Sequence, residues 1–136
     1  MKIEHFAVNV EEPLAMAEWH ERHLGLVAVK KSQQTPYMTF LADDSGRVMI
    51  EIYNNPAAPV PDYRKMNPLM MHLAFISDDP ANDKDRLLEA GATLISDDQL
   101  EDGSRLVMLR DPWGLALQLC KRSTPMLAAR EKQTVA

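Results

Sequence analysis

Met70-Met71-His72-Leu73-Ala74-Phe75 repeats the pattern of Ile3-Glu4-His5-Phe6-Ala7-Val8, 67 positions earlier. In both, a histidine opens a short apolar run with a small alanine two residues on. The same displacement carries Glu51 in Val48-Met49-Ile50-Glu51-Ile52 onto Gln118 in Leu115-Ala116-Leu117-Gln118-Leu119, and Asp44 onto Asp111. Gly25 and Gly91 correspond one residue out of step. A displacement shared over most of each half marks an internal duplication. Two copies of so long a period do not make a solenoid.

Each half gives the same order of elements. A first strand is expected at 2–10 or 70–77 and a helix at 13–24 or 80–90. Three strands follow, at 26–31, 36–42 and 47–53, or at 92–96, 104–110 and 115–121. Asp79-Pro80 suits a helix start, because Asp accepts from the open first-turn amides and Pro tolerates the first turn. Gly25 and Gly91 stand where the helices should end. Ser45-Gly46 and Pro112-Trp113-Gly114 read as tight turns between the last two strands of each half. The expected fold is α+β: two βαβββ modules whose curved mixed sheets form a cup, with helices on the outer face. The expected organisation is one domain over 1–136, with modules at 2–54 and 70–122 joined by a connector at 55–69. Asn54 to Asp62 carries Pro56, Pro59 and Pro61, which favour an extended connector. The tail, 123–136, has a weak helical pattern through Met126, Leu127, Ala128 and Ala129.

The chain has 136 residues, is 46% hydrophobic, and sets 15 Lys+Arg against 20 Asp+Glu for a net charge of −5. That balance argues against nucleic acid as a partner, since phosphate binding needs a basic field. No apolar run approaches the roughly 18 residues of a membrane span. The charged start MKIEHF is unlike a secretory leader, so a cytoplasmic location is expected. One cysteine, Cys120, excludes an internal disulfide and any multi-cysteine metal site.

Strand side chains alternate between faces. The alternation separates Val48, Ile50 and Ile52 from Met49, Glu51 and Tyr53, and Leu115, Leu117 and Leu119 from Ala116, Gln118 and Cys120. His5 with Ala7, and His72 with Ala74, oppose the apolar side of the first strands. Each half therefore has one apolar face for its helix and one face with polar groups at its centre. Two imidazoles, a carboxylate and an amide oxygen suit a divalent transition ion. A strand histidine by itself is ordinarily a half-buried, hydrogen-bonded residue, whereas a buried strand carboxylate is costly without a partner. His20 and His23, three apart on the first helix, read as a solvated helix surface, and Trp19 as core. Cys120 and the methionines, among them Met66, Met70 and Met71, read as packing. Arg64, Lys65, Arg105 and Arg110 read as surface charge.

The duplication, the βαβββ order, and the motifs His23-Leu24-Gly25-Leu26, Met71-His72-Leu73-Ala74 and Arg110-Asp111-Pro112-Trp113-Gly114 resemble the vicinal oxygen chelate superfamily over residues 2–121. That superfamily includes lactoylglutathione lyase, extradiol dioxygenases, methylmalonyl-CoA epimerase, fosfomycin-resistance transferases and bleomycin-binding proteins. The resemblance implies metal ligands at His5, Glu51, His72 and Gln118. They would hold one divalent ion per site, Zn, Ni, Fe or Mn. It implies a lyase or isomerase of the glyoxalase type acting on a small oxygen-chelating substrate through an enolate-like intermediate, with Glu51 as base. Asn9, Tyr53 and Asn55 would face the substrate. A homodimer is implied, with the two halves meeting within one chain or across two. The chain departs from lactoylglutathione lyase at Asn9, where that enzyme usually has an Arg for glutathione, and at Gln118, where it usually has Glu. An amide cannot accept a proton at neutral pH. The resemblance also admits a metal-free binding protein of the bleomycin-resistance type and a non-haem iron dioxygenase.

Overall fold

A computed structural model describes residues 1–127. The expected tail helix falls partly outside them, and Met126 and Leu127 within them are exposed. The chain divides into two compact units, one spanning Met1–Met66 and the other beginning at Asn67.

The first unit runs β1(His5–Asn9), α1(Pro13–Leu24), β2(Val27–Lys31), β3(Thr39–Ala42), β4(Met49–Tyr53). Its sheet has the order β1-β4-β3-β2. β1 and β4 are parallel neighbours, and β3 lies antiparallel to both β2 and β4. α1 has Pro13 in its first turn and ends at Gly25, whose left-handed φ of 69° lets the chain leave the helix. The helix packs on β3 and β4. Between them lie Val8, Met16, Trp19, Leu41, Ile50 and Ile52, all buried.

The second unit runs β5(Leu73–Ile76), α2(Pro80–Glu89), β6(Thr93–Gln99), β7(Arg105–Arg110), β8(Ala116–Lys121). Its sheet, β5-β8-β7-β6, has the same order and the same strand directions. Asp79 caps α2, its Oδ1 accepting from Asn82 N at 3.1 Å. Leu87, Val107, Leu109, Leu117 and Leu119 form the buried layer under the helix. β2 and β6 bulge at corresponding places, between Ala28 and Lys30 and between Leu94 and Ser96. These bulges keep the one-residue displacement seen at Gly25 and Gly91.

Several strand boundaries differ from expectation. β1 and β5 begin later, at His5 and Leu73, and β3 begins at Thr39. The residues ahead of β3 turn: Tyr37 has φ 54° and its N–H donates to Gln34 O. β6 extends three residues beyond expectation, to Gln99, because charged partners hold its end. Asp97 accepts from Arg105 Nε at 2.8 Å and Nη2 at 2.7 Å, and from Lys84 Nζ at 2.8 Å. Arg105 is thus an ion-pair partner rather than free surface charge. First Arg105, then Lys84, hold the Asp97 carboxyl well below its ordinary value of 3.8. A depressed carboxyl contributes stability above its unfolded value and loses it as pH falls. Unfolding midpoints in urea should therefore drop below pH about 4, by a contribution of about 2 kcal/mol. Asp97→Asn should abolish that part of the pH dependence. An unchanged acid limb in Asp97→Asn would refute the assignment.

Candidate functional site

In the first unit, the central position of β4 is Glu51. Its register partners are Ala7 on β1 and Phe40 on β3. Ala7 is too small to fill the space beside it, and His5, one strand repeat earlier, reaches diagonally across. His5 Nε2 lies 3.4 Å from Glu51 Oε2, with side-chain exposures of 35% and 17%. Among the described residues no lysine or arginine pairs with Glu51. The Phe40 ring stands edge-on to the imidazole, centroids 5.3 Å apart and planes at 86°. His5 Nδ1 is 3.0 Å from Glu4 Oε1.

The second unit repeats this register. Gln118 is central on β8, between Ala74 on β5 and Met108 on β7. Its Oε1 accepts from the Cys120 thiol at 3.3 Å. Burial pushes the Cys120 thiol up, so it stays protonated and packs rather than reacting. His72 lies one residue before β5, exposed, with Nδ1 2.9 Å from the Pro68 carbonyl.

The shorter contact of His5 and the carbonyl contact of His72 are both at Nδ1, and each favours hydrogen on that nitrogen. A carboxylate and a carbonyl only accept. With hydrogen on Nδ1 the neutral ring satisfies that acceptor in both histidines, and Nε2 keeps its lone pair. Metal-bound histidines ordinarily have this arrangement, with the second nitrogen donating to a carboxylate or backbone carbonyl.

The 3.4 Å separation is informative as well. A charge-assisted N–H···O⁻ bond would be about 2.7–2.9 Å long. Two ligand atoms each about 2.1 Å from one ion, at a tetrahedral angle, lie about 3.4 Å apart. The spacing of His5 and Glu51 suits a shared cation better than a direct bond, and the donor set of nitrogen and oxygen fits a divalent ion. Among the described residues no group of three or more His, Cys, Asp and Glu side chains is arranged to hold a metal ion.

Asn9 is engaged elsewhere. Its Nδ2 donates to the carbonyls of Asn55, Ala58 and Pro59 at 3.1–3.2 Å, and its Oδ1 accepts from Asn55 N at 2.7 Å. Asn54 Nδ2 donates to Val10 O, and the buried Tyr63 hydroxyl to Asn9 O at 2.6 Å. Asn9 thus ties the connector to the end of β1. Asn55 Oδ1 accepts from Ala57 N. Tyr53 is the register partner of Asn9 and is half-buried.

The histidines of α1 correct the expectation of a solvated surface. His20 is fully buried, and the Trp19 ring lies 5.6 Å from His20 and 5.1 Å from His23. Trp19 is itself buried, as expected of core. The aspartate equivalent to Asp111 is Asp43 rather than Asp44. Asp43 accepts from Ser45 N and Gly46 N as Asp111 accepts from Trp113 N and Gly114 N. Glu4 and Pro68 escaped the strand-face reading because they lie outside the strands, where alternation does not apply, and Phe40 because the faces of β3 were not assigned.

The family described as a glyoxalase-like domain matches residues 5–120 of the chain. Among solved structures, a glyoxalase/bleomycin resistance protein/dioxygenase family enzyme from Burkholderia phytofirmans PsJN superposes with a TM-score of 0.70 at 16% identity, covering 88% of this chain and 98% of that one. TnmS3, an antibiotic binding protein from Streptomyces sp. CB03234, gives 0.67 at 17% identity, over 88% and 93%. Lactoylglutathione lyase from Agrobacterium tumefaciens gives 0.63 at 21% identity, over 87% and 91%. At these identities the likeness is one of fold. Comparison with curated protein sequences finds no match.

Proposed function

The chain belongs to the glyoxalase-like domain family, within the vicinal oxygen chelate superfamily, and from that membership we propose a divalent-metal-dependent lyase or isomerase acting on a small substrate with neighbouring oxygens. The observation that carries the reading is the matching contact that His5 and His72 each make within their own unit. At duplicate positions, each imidazole has Nδ1 held by an oxygen, which leaves the Nε2 lone pair for an ion. His5, Glu51, His72 and Gln118 would hold the ion, two donors from each unit, taken from one chain or from two copies. A bound ion would polarise the substrate oxygens as a Lewis acid. Glu51 is the base for a proton on carbon α to a carbonyl: it is the carboxylate of the set, and a bound ion would take up the lone pairs of both imidazoles. Gln118 binds without exchanging protons.

The test is elemental analysis of protein purified without added metal. About one divalent ion per chain is expected, falling below about a tenth of that in His5→Ala and in His72→Ala. Metal content that ignores both substitutions would overturn the reading.

One observation favours a second reading, a binding protein without chemistry. The Gln118 oxygen already accepts a hydrogen bond from Cys120, so it is satisfied without a cation. TnmS3 shows that this fold serves antibiotic binding. Absence of metal from the unsubstituted protein would select the binder.

A further inference from the structure

We propose that Glu4 is a positioning residue that locks the neutral His5 imidazole in the tautomer with hydrogen on Nδ1. This deepens the metal-centre reading and rests on it for its use, although the tautomer exists without any ion. The Glu4 carboxylate stands 3.0 Å from His5 Nδ1 and can only accept from it. Its backbone is not loose, because Glu4 O accepts from Met49 N at 2.9 Å and so joins the β1–β4 ladder ahead of β1. The Phe40 ring, edge-on at 5.3 Å, limits rotation of the imidazole. With Nδ1 tied to Glu4, Nε2 faces Glu51 at 3.4 Å with its lone pair available.

The two units solve this problem differently. Met71 occupies the place equivalent to Glu4 and cannot accept such a bond. There the Pro68 carbonyl does so instead, at 2.9 Å from His72 Nδ1. Carbonyl and carboxylate alike orient the ring.

A free histidine side chain prefers hydrogen on Nε2, so removal of Glu4 should be visible. Long-range ¹H–¹⁵N spectra of the metal-free protein at pH about 8.5, where imidazoles are neutral, should show both His5 and His72 with hydrogen on Nδ1. In Glu4→Ala, His5 should move to the Nε2–H form while His72 stays unchanged. Glu4→Gln, whose amide oxygen still accepts, should keep the Nδ1–H form. Zn²⁺ affinity, by competition with a chelator, should fall about 10–100-fold in Glu4→Ala and less in Glu4→Gln. A His5 already in the Nε2–H form, or unmoved in Glu4→Ala, overturns the proposal, as does unchanged Zn²⁺ affinity once the tautomer has switched. A tautomer switch in a protein that binds no Zn²⁺ at all upholds the orienting contact and instead overturns the metal reading.

Discussion

A Glu51→Gln protein is expected to fold as the parent does and to lose its divalent-ion affinity by more than about 100-fold. The two effects separate because of what surrounds the carboxylate. Glu51 is only 17% exposed and faces an imidazole nitrogen at 3.4 Å, with no lysine or arginine paired to it among the described residues. Replacing it by an amide of the same shape orphans no buried cation. It removes a half-buried charge, so stability should change by less than about 1 kcal/mol, or rise. The metal reading asks the same group both to bind the ion and to accept a proton. On a substrate identified by screening small α-hydroxycarbonyl compounds, turnover should fall by about 10²–10⁴, the usual contribution of a positioned base. Exchange of the α-proton with D₂O should stop with it. Calorimetric titration with Zn²⁺, and ¹H spectra of the substrate in D₂O, check the two effects. A Glu51→Gln protein that keeps both its metal and its turnover would sink the assignment.

Much of the fold was legible because the chain states it twice. A single run such as His72-Leu73-Ala74-Phe75 is too short to identify by periodicity. Its copy 67 positions away, with Glu51 and Gln118 at the same displacement, fixed which strands correspond. Alternation then put Ala7 with Glu51 and Ala74 with Gln118 on the polar faces, and the register adds Phe40 and Met108 to those rows. What sequence alternation could not reach lies off the strands. The contacts of Glu4 and Pro68 with the histidines depend on how the chain enters β1 and β5. His20 resembled a surface residue because a helix pattern gives no account of an imidazole buried edge-on to an indole. Asp44 was preferred over Asp43 because the 67-residue displacement was carried into a turn, where one residue's difference in length shifts the count. Asn9 looked like a group beside the ligands, yet it bonds a connector whose path its prolines leave undetermined. The chemistry is harder to read than the fold, since one fold hosts several activities.

The turn that leads into β8 should be the most sensitive single point in the second unit. Asp111 is 1% exposed, and its Oδ1 accepts from Trp113 N and Leu115 N, each at 3.0 Å. Leu115 is itself buried, so its amide has no water to turn to once the carboxylate is gone. Each orphaned buried donor costs about 1–3 kcal/mol, and Asp111→Ala is expected to lose about 3 kcal/mol in urea unfolding. Asp111→Asn keeps an acceptor oxygen and should lose less than half of that. The equivalent turn of the first unit supplies the control. Asp43 makes the matching bond to Ser45 N, but both residues are exposed, so Asp43→Ala should cost under about 1 kcal/mol. The loss at Asp111 also bears on the site. This turn sets the register that pairs Arg110 with Ala116 and Met108 with Gln118. A slip of one residue would carry Gln118 to the helix-covered face. Asp111→Ala should therefore weaken Zn²⁺ binding even at temperatures where it remains folded, whereas Asp43→Ala should do neither. If Asp111→Ala proves no costlier than Asp43→Ala, the buried turn does not hold β8 in place and its control of Gln118 is refuted.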